Sequence, residues 1–193
     1  MQDLLDLNEA QDLRLVEALR GGDRGALGEF LERNGRWVRG TVYAVLGDLD
    51  LLEDVVQEVW LTVWRRASRL EDARRWRGWL HRLAKNAAID ALRRKRSRLG
   101  LLERWRLWGR RPSSVPSEHE RLELTDEHRR VLEAIEELPE IYREAFVLRH
   151  LESWDYRRMA EVLSLPLATV ETRLVRARRL LRRRLRGEDV ELK

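Results

Sequence analysis

Apolar residues recur along this chain at intervals of three and four, the spacing of one face of an α-helix. No hairpin dipeptide is flanked by the alternating apolar pattern of a half-buried strand. Leu13, Val16 and Leu19 form a first stripe, and Ala26, Phe30, Leu31 and Val38 a second. Gly21 and Gly22 separate them, Asp23 stands where a helix N-cap belongs, and Gly47 stands where the second helix ends. A third helix is expected from Asp50-Leu51-Leu52-Glu53, a capping-box-like start, with Val55, Val56, Val59, Trp60 and Val63 on its inner face. After a break over residues 67–75, a long helix is expected from Trp76 into the basic run ALRRKRSR.

Residues 100–118, GLLERWRLWGRRPSSVPSE, hold two of the four prolines together with Gly, Ser and Arg, and divide the chain. The expected organisation is a helical domain over 1–99, a linker over 100–120 and a second helical domain over 121–193. In the second, a helix over 121–138 stops at Pro139 and EIYREAFVLRHL restarts it. WDYRRMAEVL, SLP and LATVETRLVRARRLL then give helix, short turn, helix. Met159, Ala160 and Leu163 point inward from the first of these, and Val170, Leu174, Ala177 and Leu181 from the second, with Pro166 at an N1 position. This is a helix-turn-helix pattern. The fold class is therefore all-α: two small helical domains joined by a linker, the C-terminal one a helix-turn-helix.

Composition narrows the function. With 193 residues, 38% charged and 43% apolar, the chain suits thin-cored helical modules. It has no cysteine, so neither a disulfide framework nor a thiolate metal site is available. The start, MQDLLDLNEA, lacks the basic-then-apolar order of a signal peptide, and no apolar run approaches the ~20 residues of a membrane helix. A cytoplasmic protein without membrane insertion is expected. The net charge of +5 conceals an alternation. Residues 1–60 carry 6 basic and 13 acidic side chains, 61–111 carry 17 and 4, 112–155 carry 5 and 12, and 156–193 carry 11 and 5. Acidic-then-basic thus occurs twice, which fits two modules that each offer one surface to a polyanion and another to a different partner.

Catalytic chemistry finds no support. His81, His119, His128 and His150 have no spacing that places two as ligands on one helical face, and each is expected to be a surface histidine. GDRGALG follows no strand, and Glu136 with Glu137 resembles helix surface. With no convergent acid, base or nucleophile set, the expectation is no enzyme, no cofactor and no metal. Binding features are richer. Asp50, Glu53, Asp54, Gln57 and Glu58 crowd one end and face of a helix. The helix dipole accounts for Asp50 and Glu53, whereas Gln57 and Glu58 suit a surface for a basic partner protein. Trp76 and Trp79 alternate with basic residues, as in stacking platforms for unpaired bases. At i and i+3 they lie on neighbouring faces, and the expectation is Trp79 buried and Trp76 partly exposed.

EDVVQEVWLTVW, WLHRLAKNAAIDALRR, LPEIYREAFVLRHLE and AEVLSLPLATVETRLVRARRLL, in this order, resemble the extracytoplasmic-function (group IV) sigma factors of the sigma-70 family. The resemblance spans about Leu13 to Leu185. It implies a transcription-initiation subunit that binds core RNA polymerase, at its clamp helices and flap, and promoter DNA, and that an anti-sigma factor restrains. It further implies that Asp54, Gln57 and Glu58 dock on the clamp helices. By the same resemblance Trp76, Trp79, Asn86, Asp90, Arg93 and Arg94 serve the −10 element and melting, beside a base-capturing loop at 67–75. Thr169, Glu171, Thr172, Arg173, Arg176 and Arg178 fall on or near the helix that recognises the −35 element. The linker would thread toward the active-site cleft, where Trp105 and Trp108 either contact nucleic acid or polymerase or form a short docked helix.

Three departures from the family pattern stand out. Ser164 occupies a turn position that is usually glycine. Arg157 and Arg158 replace a commoner acidic pair, and Glu171-Thr172 replaces a basic residue followed by serine. Glu171 either accepts a hydrogen bond from a cytosine amino group or pairs within its helix with Arg178 or Arg173. Two other functions compete. A dimeric helix-turn-helix regulator leaves the acidic helix around Asp54 without a task, and an interaction scaffold would use the arginine helix for an acidic partner.

Overall fold

The computed structural model describes residues 2–47, 49–106, 126–150 and 152–186, with side chains from residue 10 and excluding those of 96–129. The described residues form eight α-helices and no strand: α1 (Gln2–Arg20), α2 (Arg24–Leu46), α3 (Leu52–Arg66), α4 (Trp76–Arg106), α5 (Asp126–Glu136), α6 (Glu140–His150), α7 (Tyr156–Leu163) and α8 (Leu167–Leu185). Two 3-10 turns, Ala67–Arg69 and Ala73–Arg75, fill the break between α3 and α4. The all-α expectation is met.

The boundaries follow local chemistry. Asp23 Oδ1 accepts the Gly25 N–H at 2.8 Å and caps α2, satisfying a donor the helix cannot use itself. Gly47 ends α2 at φ 61°, and a Cβ there would collide with the Arg143 guanidinium, so glycine serves both backbone and packing. The capping box expected at Asp50 does not form: Leu51 is the N-cap of α3 and no side chain bonds there. α4 is longer than expected, since its backbone runs through Gly100 to Arg106. Residues 107–125, with Trp108 and His119, lie outside the described residues, as do the side chains of Trp105 and His128.

α2 is the central strut. Phe30, Val38 and Val42 on it are fully buried, packed among α1, α3 and α4. The stripe Val55, Val56, Val59, Trp60 and Val63 on α3 is buried as its spacing required. An aromatic chain runs through this core. Phe30 meets Trp60 at 6.3 Å and Trp76 at 5.2 Å, Trp76 meets Trp37 at 6.4 Å, and Trp37 meets Trp154 at 5.2 Å. Its polar member is satisfied, because Trp37 Nε1 donates to Asn34 Oδ1 at 2.9 Å. Trp154 precedes α7, so the chain of rings passes from the first helical domain into the second.

In the second domain Val170, Leu174, Ala177 and Leu181 are buried, with Met159 and Val162 from α7 facing them. Ala160 and Leu163 are half-buried against the same core. Asp155 caps α7 by accepting the Arg158 N–H at 2.8 Å. The turn is made by Ser164 in the left-handed region, φ 53°, with Leu165 N–H donating to Ala160 O at 2.9 Å. That is the conformation glycine would adopt without cost, so the departure from the family pattern at Ser164 leaves the turn in place and puts a non-glycine residue in the left-handed region. Pro166 sits at the N-cap of α8, one position before the expected N1.

Candidate nucleic-acid interface

Trp79, Asn86, Asp90, Arg93 and Arg94 are separated by seven, four, three and one residues, which at ~3.6 residues per turn leaves them on one face of α4. Asn86, Asp90, Arg93 and Arg94 are exposed and Trp79 is half-buried against the core. Arg93 lies 3.6 Å from Asp90. The expectation for the two tryptophans is reversed. Trp76 is 1% exposed and clamped by Phe30 and Trp37, whereas Trp79 keeps an open edge. The reason is the preceding 3-10 turn. It bends the chain so that the first residue of α4 points into the core beneath α2.

α8 carries the second stripe. Its buried side is fixed by Val170, Leu174, Ala177 and Leu181, so the opposite side presents Ala168, Glu171, Thr172, Val175, Arg176 and Arg179, all exposed. Glu171, Thr172 and Arg176 match the sequence-based set. Thr169 is half-buried. Arg173 turns sideways, 3.9 Å from Glu144 Oε2, and Arg178 Nη2 donates to the Tyr156 hydroxyl at 3.3 Å. Glu171 forms no ion pair among the described residues, with Arg178 and Arg173 both engaged elsewhere. Ala168, Val175 and Arg179 were missed because charge, not angular position, guided the choice. Subtracting the buried stripe from the helix would have found them. Val175, 62% exposed, is an apolar surface suited to a thymine methyl group. Beside the start of α8, Arg149, Tyr156, Arg157 and Leu167 line a shallow hollow of about 380 Å³. Arg158 stacks over Trp154 at 4.6 Å.

A third surface belongs to α3. Asp54 and Gln57 are exposed, and Gln57 borders an open groove of about 690 Å³ between α2 and α3. Leu31, Val56, Trp60, Leu61 and Trp64 floor it, while Arg39 pairs with Glu53 at the rim. Leu31 and Leu61 are 38% and 48% exposed, an apolar patch ringed by charge. Glu58 turns the other way, its Oε2 accepting from Arg94 Nη2 at 2.8 Å. A residue expected to dock protein and one expected to contact DNA are thus joined.

Glu144 of α6 is 1% exposed, between the two domains. His81 Nε2 lies 3.1 Å from its Oε1, and Lys85 Nζ donates to Oε1 at 3.1 Å and Oε2 at 3.3 Å. Burial alone would raise the Glu144 pKa, but the hydrogen bonds and charges of His81 and Lys85 together outweigh it and hold it below the ordinary carboxylate value. For Lys85, burial acts to lower the pKa, and the nearby carboxylates of Glu144 and Glu140 raise it above its usual value. The expectation of a surface His81 is therefore wrong: the ring is 5% exposed, because its neighbour comes from a distant helix. Glu136 is likewise half-buried, accepting from the Tyr43 hydroxyl at 3.4 Å, while Glu137 is exposed and paired with Arg184. Among the described residues no group of histidine and carboxylate side chains could hold a metal ion, and no helix is long and apolar enough to cross a membrane.

Residues 30–98 match Sigma-70 region 2 and residues 128–181 match Sigma-70, region 4. The ECF RNA polymerase sigma factor SigK of Mycobacterium sp. (strain KMS) is 32% identical over 163 residues, covering 83% of each chain. The chain is an extracytoplasmic-function member of the sigma-70 family. RNA polymerase sigma-H factor of Pseudomonas aeruginosa is 29% identical over 191 residues, covering 89% of this sigma factor and 92% of that one. Its fold resembles that of CnrH in complex with the cytosolic domain of CnrY. That likeness has a TM-score of 0.66 at 24% identity, over 93% of this chain and 99% of that one. Members of this family are promoter-specificity factors of RNA polymerase, regulators of transcription initiation. The competing readings as a free-standing dimeric regulator or a scaffold have no comparable support.

Proposed function

We propose that this sigma factor binds core RNA polymerase, directs it to specific promoters by recognising a −35 element through α8 and a −10 element through α4, and promotes melting of the DNA. One observation carries the reading. Two exposed stripes that mix basic with hydrogen-bonding side chains lie on separate domains, and a third surface, acidic and apolar, remains for protein. In the −35 element, Glu171, Thr172, Val175 and Arg176 meet base edges in the major groove, while Arg149 and Arg157 hold phosphates that set the register. Asn86, Asp90, Arg93 and Arg94 track the −10 strand, and Trp79 with the loop at 67–75 receives an unpaired base. Binding that base more tightly than the duplex stack holds it shifts the closed-to-open equilibrium without hydrolysis.

Core polymerase docks by its clamp helices on Asp54, Gln57 and the apolar groove beside them, and by its flap on the second domain. An anti-sigma factor is a further proposed partner, by analogy with the solved complex of CnrH with CnrY. Co-elution with purified core polymerase and a promoter-dependent transcript from the reconstituted enzyme are the expected results. Absence of both overturns the reading. Finding the native protein under uninduced conditions only as holoenzyme or free monomer overturns the anti-sigma proposal.

A further inference from the structure

The exposed side of α8 does not end with the residues assigned to base edges. From Thr172 to Arg186 the chain carries eight arginines and no acid. Three of them turn back onto the protein: Arg173 toward Glu144 at 3.9 Å, Arg178 onto the Tyr156 hydroxyl at 3.3 Å, and Arg184 onto Glu137 of α5. The other five, Arg176, Arg179, Arg182, Arg183 and Arg186, are exposed. Steps of three, three, one and three residues keep them within ~120° of one another around the helix, on the side of Thr172 and Val175. Arg176 Nη1 also donates to the Tyr142 hydroxyl at 3.3 Å, which uses one of its five donors. Buried Leu181 and the Arg184–Glu137 pair hold this end of α8 against its domain, so the ridge has a fixed direction.

Local chemistry accounts for part of this ridge. The helix dipole favours cations in the last turn, which covers Arg182, Arg183 and Arg184. It does not cover Arg176 and Arg179, and like charges three or four positions apart weaken a helix. A row of arginines at that spacing, with no acid among them, is stabilised by a polyanion. Dimensions indicate which one. α8 has 19 residues and is ~28 Å long, whereas the major groove is ~12 Å wide. With the N-terminal half of α8 seated on base edges, its C-terminal half must leave the groove over the phosphate wall. The ~15 Å from Arg176 to Arg186 faces about four phosphates of one strand at ~3.4 Å per charge. The match to Sigma-70, region 4, ends at residue 181, so Arg182, Arg183 and Arg186 lie beyond it.

We propose that the ridge formed by Arg179, Arg182, Arg183 and Arg186 is a second DNA-binding surface, which grips backbone phosphates of the duplex outside the −35 base pairs. The inference rests on the assignment of α8 to the −35 element. The reading half of the helix sets which bases are chosen, and the ridge adds affinity that is independent of sequence and sensitive to salt. Arg176 stands at the junction of the two.

Holoenzyme reconstituted from core polymerase and the full chain first selects a preferred −35 sequence from randomised duplexes. Binding to that duplex is then measured across a salt series for the native chain and for the triple variant Arg179→Gln, Arg182→Gln, Arg186→Gln. Losing three phosphate contacts should reduce the log–log salt slope by about 2–3, at ~0.9 per contact. Between 50 and 200 mM salt the native complex should therefore weaken roughly 40-fold more than the variant complex. The single variant Arg182→Gln should lower the slope by about 0.9, and Arg→Lys at all three positions should leave it unchanged, because charge is what the ridge supplies. Ethylation of phosphates outside the selected bases should interfere with the native complex and not with the triple variant, while both select the same bases.

An unchanged slope in both glutamine variants overturns the proposal. An unchanged slope accompanied by loss of co-elution with core polymerase assigns the ridge to an acidic protein surface and overturns the DNA assignment. A slope that falls together with a changed base preference places these arginines in the reading site and overturns the separate surface. Selection of no −35 sequence by the native holoenzyme overturns the assignment of α8, and the ridge with it.

Discussion

Replacing Trp76 with alanine separates the core role that the structure gives this residue from the DNA-facing role its neighbours suggest. The indole is 1% exposed and in edge contact with Phe30 at 5.2 Å, with Trp37 at 6.4 Å. Burying roughly 200 Å² of aromatic surface at about 25 cal/mol per Å² is worth about 5 kcal/mol, and aromatic pairs add ~0.5–1.5 kcal/mol each. Partial collapse of the cavity returns some of this, so truncation should cost about 3–5 kcal/mol. For a chain of this length that lowers the melting temperature by about 6–20 °C, at ~2–4 °C per kcal/mol. Urea denaturation followed by far-ultraviolet circular dichroism measures the loss. Trp79→Ala, with its half-open site, should cost under ~2 kcal/mol and instead weaken promoter opening. A Trp76→Ala protein with the wild-type urea midpoint but defective in opening would refute the argument.

Ser164→Gly should stabilise the second domain by about 1 kcal/mol in thermal melts, because glycine adopts the observed φ of 53° without the Cβ clash. Glu171→Lys should change the preferred base at one −35 position in a binding-selection assay; uniformly tighter binding to every sequence would show that only charge had changed. Burial, with the charge of Glu136 second, pushes the Tyr43 phenol up to about 12, so one of the three tyrosines should ionise late in a spectrophotometric titration. Because the folded state then holds the proton more tightly than the unfolded, stability should fall as pH rises from about 10 toward 12. Glu144 has the opposite sign: its pKa is depressed on folding, so its contribution is complete above the unfolded carboxylate pKa and is lost as pH falls through the folded value. Glu144→Gln should flatten the acid limb of a pH–stability curve.

The helices, their inner faces and the helix-turn-helix were legible because each depends on residues within a few positions of one another. The stripe Val170, Leu174, Ala177 and Leu181 is a periodic pattern, and Asp23 and Gly47 act on backbone groups beside them. The resemblance carried by four ordered motifs placed the same segments that match Sigma-70 regions 2 and 4. The unread part lies where distant segments meet. His81 looked like a surface histidine because nothing near it in sequence explains its burial, and Glu144 looked like one more helix carboxylate. Trp76 and Trp79 were exchanged because two residues at i and i+3 have equal claim to the core until a preceding turn fixes the roll of the helix.

Sequence alone therefore determined an all-α chain of two helical modules, its helix-turn-helix and the class of partner its charges suit. Tertiary structure decided which arginines of α8 face outward, that Glu58 and Arg94 pair, and that a buried acid joins the two domains. The physical reason is range. Helical periodicity and capping operate over about four residues, whereas the pairing of Glu144 with His81 spans 63 positions and exists only after the backbone has brought α4 and α6 together.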